Sequence, residues 1–139
     1  MNQTAHRHPL RILCADDNDE LVELVADMLR FYGYRVECVY DGADALALIT
    51  KDPNRFDLLI TDFDMPRLNG HELVDKARVA GFRGKVIVFS AALSLSDRQR
   101  FGELAVEAII DKPAEHRQLI SVVARLQTEL WEQANAAAA

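Results

Sequence analysis

The chain has 139 residues, 50% of them apolar and 27% charged, with only four prolines, which suits one folded domain and excludes disorder as its main state. Sixteen Lys and Arg stand against twenty-two Asp and Glu, a formal charge of −6. No block of basic residues is present to neutralise a phosphate backbone, so direct nucleic-acid binding is not expected.

Residues 1–9 are polar, with no apolar h-region behind them, and are expected to be untethered; they do not read as a secretory signal, and the cytoplasm is the expected compartment. The first strand is expected at Leu10–Ala15. A helix follows over Asp19–Phe31, where Leu21, Leu24, Val25, Met28 and Leu29 recur at helical spacing, and Gly33 marks its end. Next come a strand at Arg35–Val39, a short alanine-rich helix at Ala43–Thr50 and a strand at Asp57–Thr61. A helix at His71–Ala80, a strand at Lys85–Phe89, a weaker helix at Ser96–Ala105 and a strand at Val106–Ile110 complete the alternation. The last helix is expected from Ala114 to Trp131, with Leu119, Val123, Leu126 and Leu130 on one face. Residues 132–139 have nothing to pack against and are expected to fray, which leaves a domain over 10–131.

The alternation is that of a parallel sheet covered by helices on both faces, with the continuously apolar third and fourth strands buried on both sides. The apolar runs near Leu58–Ile60 and Val86–Phe89 fall far short of the ~20 residues a membrane crossing needs. Cys14 and Cys38 sit in such runs without CxxC spacing and are expected as core thiols, not as a zinc or redox pair.

In an open parallel sheet, ligands bind beyond the carboxyl ends of the strands. Polar residues gather there. The first strand ends in Asp16 and Asp17, the third in Asp62 with Asp64 two residues on, the fourth in Ser90, and the fifth in Asp111, Lys112 and Pro113. Carboxylates brought that close repel by roughly 1 kcal/mol per pair at 4 Å in water, and several-fold more at lower dielectric. A cation is therefore expected among them, and an oxygen-rich set without His or Cys suits Mg²⁺ better than zinc. Each piece taken alone has a plainer reading. Asp17 with Glu20 also reads as a capping box, Asp62–Gly70 as a turn, Ser90 as a partner for a backbone group, and Lys112 as a solvated charge. None of these explains why the groups recur at successive strand ends.

The set resembles the receiver domain of bacterial two-component response regulators, the single-domain chemotaxis regulator among them. The likeness covers about Leu10 to Leu130 and rests on Asp16-Asp17, the loop from Asp62 through Met65, Pro66 and Asn69 to Gly70, Ser90-Ala91 and Lys112-Pro113. It implies a flavodoxin-like α/β fold, doubly wound, with five parallel strands in order 2-1-3-4-5 and five helices. It also implies that Asp62 is a phosphoacceptor that takes its phosphoryl from a phosphohistidine. By the same resemblance Asp17, Asp62 and the backbone carbonyl of Asp64 would bind Mg²⁺ (or Mn²⁺), with Asp16 acting through a water. Lys112 would pair with one phosphoryl oxygen. Ser90 would bond another and draw its loop inward, and small Ala91 would leave the group open to donor and water. Such a domain catalyses its own phosphotransfer and slow dephosphorylation without multiple turnover. The Lys112–Pro113 peptide is expected to be cis.

Two positions depart from the family pattern. Ile109 stands where the family carries a switch aromatic, and the stiff χ1 of a β-branched chain offers no ring to swing inward. Asp64 adds a negative charge beside the acceptor. The partners implied are a sensor histidine kinase or a histidine phosphotransfer protein, met by the first helix, and an unknown downstream protein. A membrane partner is not expected; the chain is expected as a monomer or a weak dimer through the surface of helix four, strand five and helix five. No attached output domain is expected beyond Trp131. Alternative readings are a degenerate receiver that serves only as a binding module, a haloacid-dehalogenase-like phosphatase built on Asp62-x-Asp64, and a flavodoxin. Chain order opposes the phosphatase, because Asp16 and Asp17 precede Asp62. The acidic loop Asp16–Asp19 opposes the flavodoxin, since it would repel a phosphate in the absence of metal.

Overall fold

The computed structural model describes residues 8–91, 93–112 and 116–138. Ten elements alternate: β1 Arg11–Ala15, α1 Asp19–Phe31, β2 Arg35–Val39, α2 Gly42–Lys51, β3 Leu58–Thr61, α3 Gly70–Val79, β4 Lys85–Ser90, α4 Leu95–Gly102, β5 Ala108–Asp111 and α5 His116–Ala138. All strand pairs are parallel, in the order β2-β1-β3-β4-β5. This is the doubly wound five-stranded architecture expected from the sequence.

Period-two alternation divides the core. Ile12 and Cys14 of β1, Leu58 and Ile60 of β3, and Ile87 and Phe89 of β4 pack with Val22, Val25 and Leu29 of α1 and with Leu119, Val123 and Leu126 of α5. Leu13, Leu59, Val86 and Val88 point the other way, onto Ala45 and Ile49 of α2, Leu73, Val74 and Ala77 of α3, and Phe101 of α4. β3 is buried along its whole length, as its unbroken apolar run predicts. Each fully buried side chain of this size contributes roughly 1.5–3 kcal/mol, and the two layers together hold the carboxyl edge of the sheet rigid.

Several boundaries move. α4 begins at Leu95 because the Ser94 side chain accepts from the Asp97 amide and Asp97 answers in a capping box. It stops at Gly102, and Ala105 at φ 56° turns the chain, so β5 begins at Ala108, opposite Ile87. α5 continues through the alanines to Ala138, beyond the expected end at Trp131. Alanine is the best helix former and continues a helix without a packing partner. His8, in the segment expected to be untethered, bonds Asp57 at 3.1 Å.

Cys14 and Cys38 face each other in the β1–β2 register as free thiols. Burial pushes the Cys14 thiol up strongly and the half-buried Cys38 to about 11, so both stay protonated near neutrality. Among the described residues, no helix is long and apolar enough to cross a membrane.

Candidate phosphoryl and metal site

Backbone bonds set the positions of the polar groups. The ladders run one residue past the strands: the Asp16 amide donates to Val39 O at 3.2 Å, Asp62 to Ala15 O at 2.9 Å, and Lys112 to Ser90 O at 3.0 Å. Asp16, Asp62, Ser90 and Lys112 therefore share one edge. Behind Asp62 the chain turns tightly into α3. The Gly70 amide donates to Phe63 O at 2.8 Å, and a Cβ on Gly70 would lie 2.3 Å from the Asp62 carbonyl oxygen. Only glycine fits at this closeness. The loop is tied outward as well, by an ion pair from Arg67, which sits at φ 68°, to Asp41 at the start of α2.

Lys112 is at the centre of the cluster. Its Nζ donates to Asp16 Oδ2 at 2.6 Å and to Asp62 Oδ2 at 3.2 Å, and lies 5.6 Å from the centroid of the Phe89 ring. The side chains of Lys112, Asp16 and Asp62 are only 14%, 8% and 10% exposed. The solvated-charge reading of Lys112 is thus excluded. On the far side of the Asp62 carboxylate, Ser90 Oγ donates to Asp62 Oδ1 at 2.6 Å and the Phe63 amide donates to the same oxygen at 2.7 Å. Ser90 already points inward, so its hydroxyl needs only to rotate in order to engage a new oxygen.

Asp17 is exposed at the rim. It does not cap α1, contrary to the capping-box alternative: the cap is Asn18, whose side chain accepts from the Leu21 amide at 3.1 Å. The Asp17 carboxylate is left free to face the cluster. One carboxylate oxygen each from Asp16, Asp17 and Asp62 lies within 4.8 Å of the other two. Burial pushes the Asp16 carboxyl above its ordinary range and the Asp62 charge adds to this; Lys112 and the Asn18 amide pull downward without cancelling it.

Among the described residues, three carboxylates stand against one ammonium, which leaves two negative charges uncompensated, and every donor is a hard oxygen. This donor set fits a small divalent cation such as Mg²⁺ and does not fit zinc. Asp64 is exposed, two residues beyond Asp62 in the chain. Ile109 is half-buried against the layer formed by α2, α3 and α4. The expected cis peptide involves Pro113, which lies outside the described residues. A larger concavity of about 590 Å³ between α1 and α5, lined by Met28, Phe31 and Ile120, touches none of these carboxylates.

Sequence reasoning missed three supports. Asn18 as the cap, the Arg67–Asp41 tie and the ring of Phe63 on Phe101 all depend on side-chain directions or long-range contacts. The one legible hint was the density of turn residues from Asp64 to Gly70.

The strand order together with this edge of carboxylates, hydroxyl and amine defines a class, and a family model described as the response regulator receiver domain matches residues 12–124. The chain belongs to that family, the receiver domains of two-component response regulators. Among its relatives, the response regulator MprA of Mycobacterium sp. (strain KMS) is 34% identical over 113 residues, which cover 81% of this chain and 48% of that protein. The sensor histidine kinase RcsC of Escherichia coli is 32% identical over 104 residues, 75% of this chain and 11% of the kinase. The chain thus spans about half the length of the MprA relatives, and far less of the kinase. Among solved structures, the CheY-like receiver domain protein of Methanospirillum hungatei JF-1 superposes with a TM-score of 0.83 at 28% identity, covering 91% of this chain and 99% of that one.

Proposed function

We propose that the chain receives one phosphoryl group on Asp62 from a phosphohistidine and signals through altered protein contacts. The observation that supports this best is the treatment of the Asp62 carboxylate, one oxygen held by Ser90 and the Phe63 amide and the other by Lys112. The acceptor is fixed in orientation, with neutral and cationic donors already placed beside it. In the transfer, an Asp62 oxygen forms the O–P bond as the P–N bond to the imidazole breaks. The electron pair leaves on the ring nitrogen; because the phosphoimidazole enters the step protonated on its other nitrogen, the ring ends as neutral imidazole. Lys112 keeps an ammonium against the growing negative charge, and the Ser90 hydroxyl turns from Asp62 to a phosphoryl oxygen. Water later attacks the acyl phosphate, releasing phosphate and restoring Asp62.

Asp17, Asp62 and the Asp64 carbonyl are the proposed ligands of Mg²⁺ (or Mn²⁺), with Asp16 linked through a water. A divalent ion there would neutralise charge on the transferred group, the main help a protein gives a loose phosphoryl-transfer transition state. The donor is a sensor histidine kinase or a histidine phosphotransfer protein, a partner class supported by the likeness to part of RcsC. The downstream target is a further protein, and the proposed location is the cytoplasm. The convergence of all five polar groups disfavours a degenerate receiver.

Mass spectrometry after incubation with Mg²⁺ and acetyl phosphate tests this. Wild type should gain the mass of one phosphoryl and Asp62→Ala none. Equal gain in both, or no gain in either, would refute the assignment.

A further inference from the structure

α4 is a lightly anchored helix: it spans eight residues and Phe101 is its one buried side chain. Two of its contacts fall on immediate sequence neighbours of the site. The Phe101 ring meets Phe63 edge to face, with centroids 5.9 Å apart, and Phe63 follows Asp62. Arg98 pairs with Asp111, which precedes Lys112. A third contact braces the first, since His71 at the start of α3 lies 5.6 Å from the Phe101 ring and its Nδ1 accepts from Arg100 of α4 at 3.5 Å.

Phe63 is held at both ends. Its amide is shared between Asp62 Oδ1 at 2.7 Å and Ser90 Oγ at 3.3 Å, while its ring is lodged on Phe101. When the Asp62 carboxylate changes substituent and Ser90 turns away, both acceptors of that amide change together. The peptide between residues 62 and 63 is a rigid plane, so its tilt carries the Phe63 Cα and ring with it. Packed interiors switch between discrete arrangements and do not stretch continuously. A helix with one buried anchor follows the ring.

We propose that Phe63 is a positioning residue that couples Asp62 to α4 in both directions. A change at the acceptor carboxylate moves α4 through the Phe63–Phe101 pair, and a protein that favours the displaced α4 tightens the site's hold on a phosphoryl mimic by the same factor. The inference rests on the reading of Asp62 as acceptor.

The test is amide NMR of the full chain with Mg²⁺ and beryllium fluoride as the phosphoryl mimic. In wild type, amides at Asp17, Asp62, Ser90 and Lys112 should shift together with those of Leu95–Gly102. In Phe63→Leu and in Phe101→Leu the site amides should still shift while the α4 displacements fall below about half, with the double variant no worse than either single one. Phe63→Tyr, which keeps the ring, should retain them. Phe63 is only half-buried, so its variants report even if Phe101→Leu unfolds. Full-size α4 shifts in Phe63→Leu, or site shifts without α4 shifts in wild type, would overturn the coupling and leave the acceptor reading standing. No shift anywhere in wild type would overturn both.

Discussion

Two aspartates flank β3, and the fold treats them in opposite ways. Asp57, at the amino edge, is saturated: Arg11 forks onto it with Nε at 3.1 Å and Nη2 at 2.9 Å, the Arg11 amide adds a bond at 2.9 Å, and His8 reaches it at 3.1 Å. Burial alone would push its carboxyl up, but the Arg11 side chain and amide together with His8 outweigh this and hold it below the ordinary range. Asp62, at the carboxyl edge, shares a single ammonium with Asp16 while Asp17 stands nearby. The amino edge is neutralised within the chain and serves stability. The carboxyl edge keeps unbalanced charge, which is useful only if something from outside completes it.

Variants at the two edges should separate these roles. The largest effect is expected from Gly70→Ala, which drives a methyl into the Asp62 carbonyl; urea unfolding should lose about 3 kcal/mol, and phosphoryl incorporation should fall with it. Lys112→Ala should slow phosphoryl uptake from acetyl phosphate roughly 100-fold, whereas Arg11→Ala should leave that rate unchanged and lower only the stability. Uptake rates that fell equally in both would erase the distinction between the edges.

Asp57→Asn should cost about 2 kcal/mol of unfolding free energy at pH 7. The sign of its pH dependence follows from the lowered carboxyl. Wild type carries this contribution in full above the unfolded value of about 3.9 and loses it as pH falls through the lower folded value. The variant's acid-side stability curve should therefore be flatter than that of wild type, and parallel curves would show that Asp57 is not stabilising. The smallest effect is expected from Asp64→Asn, which removes one exposed charge two residues beyond Asp62 and should change the lifetime of the proposed acyl phosphate by roughly threefold in a dephosphorylation time course.

The fold was legible because its periodicities are clean. The expected bounds of α1 and β2 coincide with the observed ones, since Gly33 stops the helix and Val36, Cys38 and Val39 give the strand its β-forming character. The site residues were legible for a related reason: a carboxylate, hydroxyl or amine that ends a buried strand interrupts an apolar run. Contacts between distant elements were not. Whether Asp17 or Asn18 caps α1 depends on the Asn18 backbone at φ −85° and ψ 95°, which one sequence position leaves undecided. Lys112 bonding Asp16 more closely than Asp62 is likewise a packing outcome, between residues 96 and 50 positions apart in the chain. The chain's continuation as helix through its terminal alanines accords with alanine's high intrinsic helix propensity.

A Mg²⁺ titration followed residue by residue through amide shifts tests the contrast between the edges most directly. Saturable single-site shifts centred on Asp16, Asp17, Asp62 and Asp64, absent in Asp17→Asn and leaving Asp57 unmoved, are the predicted result. Shifts at Asp57 as large as those at Asp62, or none that saturate at the carboxyl edge, would contradict it.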